Sequence, residues 1–263
     1  MRFYQQTLRT KLLTIICIIS FITTMQAEKQ DWEGGVPEGC TSVTVGRKAS
    51  ASNSVTTSHT CDSHRTRSWL DIAPAQDYPA GALDTMEQRT NYDSLAMPTY
   101  RQKKIGTIPQ ADHTYKFIDT AYPCMNEHQL AIGESTFGGR ESLRAEETGL
   151  IDCQQLNHLM IERCKTAREA IRLADSLTKK YGYNDYGECL TIADTKEVWH
   201  FEIVGPGKGN KGAIWVAQRV PDGHVSVVAN GSRIREIDLD KPDYFMASDN
   251  VYKVAQDSGW WNP

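Results

Sequence analysis

Strand-like runs, then helices, then strands again: this order along the chain predicts an α+β protein built in layers rather than a wound parallel sheet. Two features of the runs support it. The strand candidates are short, rich in Val, Thr, Ile and Trp, and separated by Gly, Asn and Ser clusters. The helical stretch between them repeats its apolar residues on one face. The chain has 263 residues, 40% hydrophobic and 24% charged, enough to bury a core as one large domain or part of a bigger one.

The N-terminus is basic (MRFYQQTLRTK), continues as the apolar run LLTIICIISFIT, and reaches small residues in MQA. That is the layout of a secretory signal peptide, residues 1–27, cut after Ala27. Its dozen apolar residues fall short of the roughly 20 that span a bilayer, so no stable membrane insertion is expected after its removal. The expected location is secreted or periplasmic. Residues 28–39 (EKQDWEGGVPEG) are polar and rich in Gly and Pro, which predicts a removable propeptide, and residues 40–263 then form the domain proper.

From Cys40 onward a meander of three strands is predicted over about 41–46, 54–60 and 67–73. Residues 75–113 show little periodicity and many Pro, Gly, Asp and Gln residues, so they read as a long surface excursion of the kind that forms lids. Strand character returns at 115–120 and 128–137. Cys153 to Cys164 reads as a short helix carrying Leu156, Leu159 and Met160. In KTAREAIRLADSLTKKYGY, Ala167, Ala170, Ile171, Ala174 and Leu177 keep the spacing of one helix face, and Gly182 closes it. Four strands follow in ECLTIAD, EVWHFEIVG, GAIWVAQRV and HVSVVAN. A helical segment of about ten residues precedes the final DSGWWNP, an abrupt end for a complete domain.

The chemistry centres on Cys40, which stands between a disposable segment and a first strand. Freed by cleavage, an N-terminal cysteine offers a thiol nucleophile and, on the same residue, an α-amine of pKa about 7.7–8.0 that can take the thiol's proton. The alternative is a half-cystine near the start of a secreted domain. Seven cysteines are present, Cys17 among the signal residues, and no CxxC pair or zinc-ribbon spacing occurs. His59, Cys61, Asp62 and His64 lie within six residues and include zinc-ligand types; on a strand, His59 and Cys61 share a face. No second ligand pair accompanies them, so no metal is expected. Arg65 and Arg67 read as surface charge. A net charge of -4 with mixed signs provides no basic stripe, which argues against a nucleic-acid partner.

The stretch CTSVTVGRKASASNSVTTSHTCDSHRTRSWLDI, beginning at Cys40, resembles the start of the secreted dipeptidases among the cysteine N-terminal-nucleophile (Ntn) hydrolases. A second block, NEHQLAIGESTFGGRE from Asn126 to Glu141, and a third, YGECLTIADTKEVWHFEIVGPG, are similar to later segments of that family in the same order. The resemblance implies a four-layer αββα sandwich, no cofactor, and hydrolysis of dipeptides or small amides through an acyl-cysteine. More distantly the chain resembles bile-salt hydrolases and penicillin acylases. Asp62 matches the carboxylate that orients the amine in those relatives. His59 stands where they carry an arginine, which makes the local positive charge pH-dependent and places His59 among the substrate-binding candidates. Asn230, in SVVANGS, and Thr136, in GESTFGG, match oxyanion-hole positions; Asn230 reads equally as an Asn-Gly turn residue. Asn126 and Glu127 read equally as closing a turn. Ser52-Asn53 replaces the family's Asp-Gly turn, and either pair suits a tight turn. The family's chains are about twice this length.

The expected activity is therefore that of an exported cysteine dipeptidase acting on a small peptide or amide. The alternatives are a non-enzymatic secreted module and a bile-salt or penicillin-type amidohydrolase. A homo-oligomer stays open.

Overall fold

Alternation of inward and outward residues governs the strands of the computed structural model, which describes residues 38–63, 70–89, 102–120, 122, 124–144 and 149–262. All of these belong to one unit, Glu38–Pro263. The signal reading of 1–27, most of the 28–39 segment, Cys17, His64, Arg65 and Arg67 lie outside the described residues.

The chain opens with β1 (Glu38–Val45) and β2 (Thr56–Ser63), joined by a 3-10 turn at Arg47–Ala49 and a bend in which Asn53 adopts φ 53°. Asparagine tolerates that left-handed conformation, which is what the Ser52-Asn53 turn requires. There follow β3 (Asp71–Ala73), β4 (Gln76–Asp77), β5 (Leu83–Arg89), β6 (Gln102–Pro109), β7 (His113–Thr114), β8 (Phe117–Asp119), β9 (Met125–Asn126) and β10 (Ala131–Gly138). Two helices come next, α1 (Cys153–Arg163) and α2 (Ala167–Tyr181). The chain continues with β11 (Gly187–Ala193), β12 (Val198–Val204), β13 (Ile214–Arg219), β14 (Val225–Val228) and β15 (Phe245–Ala247), then a short α3 (Val251–Asp257).

One correction concerns residues 75–113. Where the sequence suggested a long irregular excursion, β5 and β6 pair as an antiparallel hairpin from Leu83↔Pro109 to Arg89↔Gln102. Its apolar signal is weak because Met86 and Ile108 are its only described side chains that are fully buried. Polar anchoring does the rest: Arg163 at the end of α1 donates to Asp84 at 2.8 Å and to Gln110 at 2.8 Å.

The helices are specified locally. Asp152 caps α1 by accepting from the Gln155 backbone N–H at 2.8 Å. In α2 the Thr166 hydroxyl accepts from the Glu169 N–H while Glu169 returns to the Thr166 N–H, a full capping box. Gly182, at φ 81°, ends the helix in a conformation that only glycine adopts without strain.

Two antiparallel sheets face each other. The larger has the order β15-β13-β12-β11-β10-β9-β8-β3, the smaller β14-β1-β2. β1 and β2 lie over β10 and β11, where Thr57 Oγ1 donates to Thr191 Oγ1 at 3.3 Å. Gly133 makes this approach possible: a Cβ there would stand 2.7 Å from Thr191 Oγ1 and 3.0 Å from both His59 Cβ and Ser42 Oγ. The helices cover the other face of the large sheet. Leu156, Leu159, Ile171 and Ala174 join Leu190, Ile192, Trp199 and Phe201 in one buried cluster. Each large apolar side chain buried there stabilises the fold by about 1.5–3 kcal/mol relative to exposure. The protein is thus a mixed α/β structure dominated by large antiparallel sheets with few helices, and the α+β expectation holds at that level.

Candidate active site

The edge of β10 organises the site. β11 pairs with β10 along its length, but β9 pairs with it only at Ala131. Beyond that point the edge carbonyls of β10 need other partners, since an unpaired buried carbonyl is costly. Asn230 supplies one. Its Nδ2 donates to the Thr136 carbonyl at 2.8 Å, and its backbone N–H donates to Ser135 Oγ at 2.8 Å. His59 packs against the same strand, its Cβ 3.0 Å from where a Cβ at Gly133 would stand.

Cys40 sits against this edge. Its backbone N–H donates to Asn230 Oδ1 at 2.7 Å, and its thiol donates to Glu134 Oε2 at 3.5 Å. Across the β1–β2 ladder it stands directly opposite Cys61. Neither cysteine is in a disulfide, and the other four described cysteines are also thiols, so the half-cystine alternative for Cys40 is not realised. The hydrogen bond to Cys61, burial and the Glu134 carboxylate together hold the Cys40 thiol well above an ordinary cysteine. With the preceding residues attached, Cys40 is a protonated thiol on a residue whose nitrogen is a peptide amide. Burial pushes the His59 imidazole below its usual range, against the pull of Glu134 and Asp62.

Behind Cys40 lies a pair of buried carboxyls. The Thr136 hydroxyl lies 2.9 Å from Glu134 Oε1 and 3.0 Å from Glu188 Oε1. Burial, together with the hydrogen bond and charge of Glu134, raises Glu188 well above an ordinary carboxyl.

Of the residues singled out by sequence, the structure brings together Cys40, His59 and Asn230, with Thr136 joined to them through Glu134. The Thr136 hydroxyl is engaged by carboxyls, and its carbonyl is what meets Asn230. Asp62 is placed differently. It lies opposite Gly39 in the ladder, exposed, accepting from Thr60 Oγ1 at 3.4 Å on the face of β2 away from Cys61. Its charge reaches His59, and it stands one residue ahead of the bond whose cleavage would free Cys40. Asn126 has a scaffold role: its Nδ2 donates to the carbonyls of Ile161 and Cys164, both at 2.7 Å, and its Oδ1 accepts from the backbone of His128 and Leu130. Glu127 accepts from the Lys116 N–H at 2.8 Å.

Three carboxylates were not singled out from sequence. Glu134 and Glu188 are described above. Glu202 accepts from Ser232 Oγ at 2.6 Å, from the Arg233 N–H and from the Ile234 N–H at 3.0 Å, fixing the turn that carries Asn230. The available signal for Glu134 is a lone carboxylate in the apolar run LAIGESTF.

A cavity of 390 Å³ opens beside the site, lined among others by Thr57, His59, Cys61, Ile118, Tyr122, Met125 and Gly133. A volume of that order suits a small ligand. Its wall is mostly apolar; His59 and Cys61 of β2, the strand next to Cys40, line it, while Cys40 itself does not.

Comparison with known proteins finds relatives over most of the chain. The chain is 27% identical over 224 residues to a protein named "Probable dipeptidase" from Latilactobacillus sakei, covering 82% of this chain and 44% of that protein. It is 29% identical over 235 residues to "Probable dipeptidase B" of Lactococcus lactis subsp. lactis (strain IL1403), covering 85% and 45%. A "Probable dipeptidase B" of Streptococcus pyogenes serotype M1 is 22% identical over 228 residues, covering 84% and 43%. The chain spans less than half the length of these curated relatives. The model of the family described as "Peptidase family C69" matches residues 39–263, starting one residue before the thiol on the β10 edge, and the chain therefore belongs to peptidase family C69.

Proposed function

We propose that this chain is an exported thiol dipeptidase that becomes competent when cleavage ahead of Cys40 frees its α-amine. The observation that carries the reading is the paired grip on Cys40: its nitrogen lies 2.7 Å from Asn230 Oδ1 and its sulfur 3.5 Å from Glu134 Oε2, beside a cavity of small-ligand size. Once freed, the amine keeps Asn230 Oδ1 as acceptor for one N–H, which aims its lone pair. The amine takes the thiol proton, the sulfur attacks the substrate carbonyl, and the proton passes to the leaving amine. Water then hydrolyses the acyl-cysteine. Asp62 stabilises the ammonium form from the side of Gly39. Asn230 Nδ2, released from the Thr136 carbonyl, donates to the oxyanion. His59 lines the cavity and meets a polar group of the substrate. The helix layer and the two facing sheets support the αββα sandwich that the Ntn reading implies.

N-terminal sequencing of the protein recovered from medium or periplasm, alongside a panel of dipeptides and other small amides, tests this. The expected N-terminus is Cys40, with Cys40→Ser slower by about 10³-fold or more. An active protein that still starts at Glu28 would sink the amine as base. Raised as it is, the thiol of the uncut chain also predicts slow alkylation before cleavage and fast alkylation after it. Equal rates in both forms favour a binding module without peptidase chemistry.

A further inference from the structure

We infer that Cys40, His59 and Glu134 form a binding site for a thiophilic divalent cation of the zinc type, which masks the nucleophile when it binds. One ligand atom from each residue, a thiol sulfur, a ring nitrogen and a carboxylate oxygen, lies within 4.8 Å of the other two. Ligand atoms about 2.0–2.3 Å from a tetrahedral zinc stand roughly 3.5 Å from one another. Cys40 Sγ and Glu134 Oε2 already meet that spacing at 3.5 Å. Only a modest side-chain contraction brings in the imidazole.

A second observation points the same way. His59 Nε2 is buried with no hydrogen-bond partner among the described residues, on a ring one of whose nitrogens is grouped with the Cys40 thiol and the Glu134 carboxylate. The donor set is one sulfur, one nitrogen and one oxygen. Thiolate and carboxylate carry two negative charges against the two positive charges of the cation, and the mixed soft and borderline donors select zinc-like ions over magnesium or calcium. On binding, the Cys40 S–H bond breaks, its proton leaves to solvent, and a sulfur–metal bond forms. The three protein ligands leave one tetrahedral position. In the cleaved protein the Cys40 amine can fill it, closing a five-membered ring with its own sulfur.

Binding does not depend on the peptidase reading, whereas inhibition as its consequence does. The test uses the full chain with its leader attached, titrated with Co²⁺ and then displaced with Zn²⁺. A sulfur-to-cobalt charge-transfer band is expected, present in Cys124→Ser and lost in Cys40→Ala. His59→Ala and Glu134→Gln should each weaken Zn²⁺ affinity by about tenfold or more. Near-ultraviolet circular dichroism identifies variants that fail to fold, and His59→Asn then replaces His59→Ala. Zn²⁺ should also protect Cys40 from alkylation, a readout independent of peptide cleavage. A band that survives in Cys40→Ala, or Zn²⁺ affinity unchanged in both the His59 and Glu134 variants, overturns the site. If Zn²⁺ binds and protects Cys40 in a protein that cleaves no dipeptide, the peptidase proposal falls and the metal site stands. If dipeptide cleavage proceeds unaffected by Zn²⁺, the metal site falls and the peptidase proposal stands.

Discussion

The two faces of β11 and β12 carry opposite chemistry. Toward the helices they present Leu190, Ile192, Trp199, Phe201 and Ile203, all fully buried. Toward the small sheet they present Cys189, Thr191 and His200. There the contacts are polar: Thr191 with Thr57 at 3.3 Å, and His200 Nε2 with Ser226 Oγ at 2.9 Å. One face is mostly hydrocarbon, with the Glu188 carboxyl set into it beside Ile203, and holds the fold together. The other is thin, built of hydroxyls, thiols and imidazoles, and lies in the same inter-sheet layer as Cys40. Alternation along the same two strands thus separates a largely apolar set of side chains from a polar one, while the Glu134–Glu188 carboxyls are set into the apolar side.

If that division holds, the largest single loss of stability comes from the helix face. Phe201→Ala removes a fully buried ring packed on Trp215, with ring centroids 5.3 Å apart, and should cost about 3–5 kcal/mol in a denaturant titration. Alkylation of Cys40 in the fraction that remains folded should be unchanged. A loss below about 1 kcal/mol would mean the hydrocarbon layer is not what holds the sheet.

The polar face should show itself through pH instead. Burial, with some help from the Arg233 charge, pushes His200 down to about 4 from 6.5. Between those values the unfolded chain binds a proton that the folded protein does not, so the contribution of His200 to stability is present above about pH 6.5 and is lost as pH falls to about 4. The shift corresponds to roughly 3 kcal/mol. Urea titrations of the protein and of His200→Gln across that window should therefore converge by about this amount on acidification. Parallel curves would remove His200 from the acid response.

How much of this was readable beforehand divides along the same line. Helix α2 was legible nearly to the residue, because its five apolar positions, its Gly182 stop and its packing all agree. β10 to β14 were legible from runs of branched and aromatic residues. The β5–β6 hairpin was not, because burial of one side chain per strand leaves no alternation to read. β15 escaped for a similar reason: its three residues are all half-buried. In the site, Cys40 was visible from its position after a removable segment, and His59 and Asn230 from the family resemblance. Glu134 was not. A carboxylate on a strand reads as a solvent-facing residue, and its meeting with Cys40 spans 94 positions of sequence. Such a contact comes from how two sheets are stacked, and no local pattern encodes that.

Gly133 is where the two faces can be set against each other with the smallest change. Its missing side chain lets the small sheet approach β10 and β11, and a methyl group there would meet Thr191 Oγ1, its neighbour in the same sheet, at 2.7 Å, closer than real Cβ contacts come, and His59 Cβ of the small sheet at 3.0 Å, a tight contact. Thr191 must then yield within its own sheet, and the small sheet must give by a few tenths of an ångström at His59 and Ser42. Gly133→Ala should cost about 1–3 kcal/mol, less than Phe201→Ala, because overpacking at one point can be relieved by a small displacement. The same displacement carries His59 and Cys40 away from Glu134. The variant should therefore alter the alkylation rate of Cys40 and weaken Zn²⁺ binding out of proportion to its modest loss of stability, whereas Phe201→Ala should do the reverse. Measuring both properties in both variants decides the matter: if stability and thiol reactivity rise and fall together, the two faces are not independent.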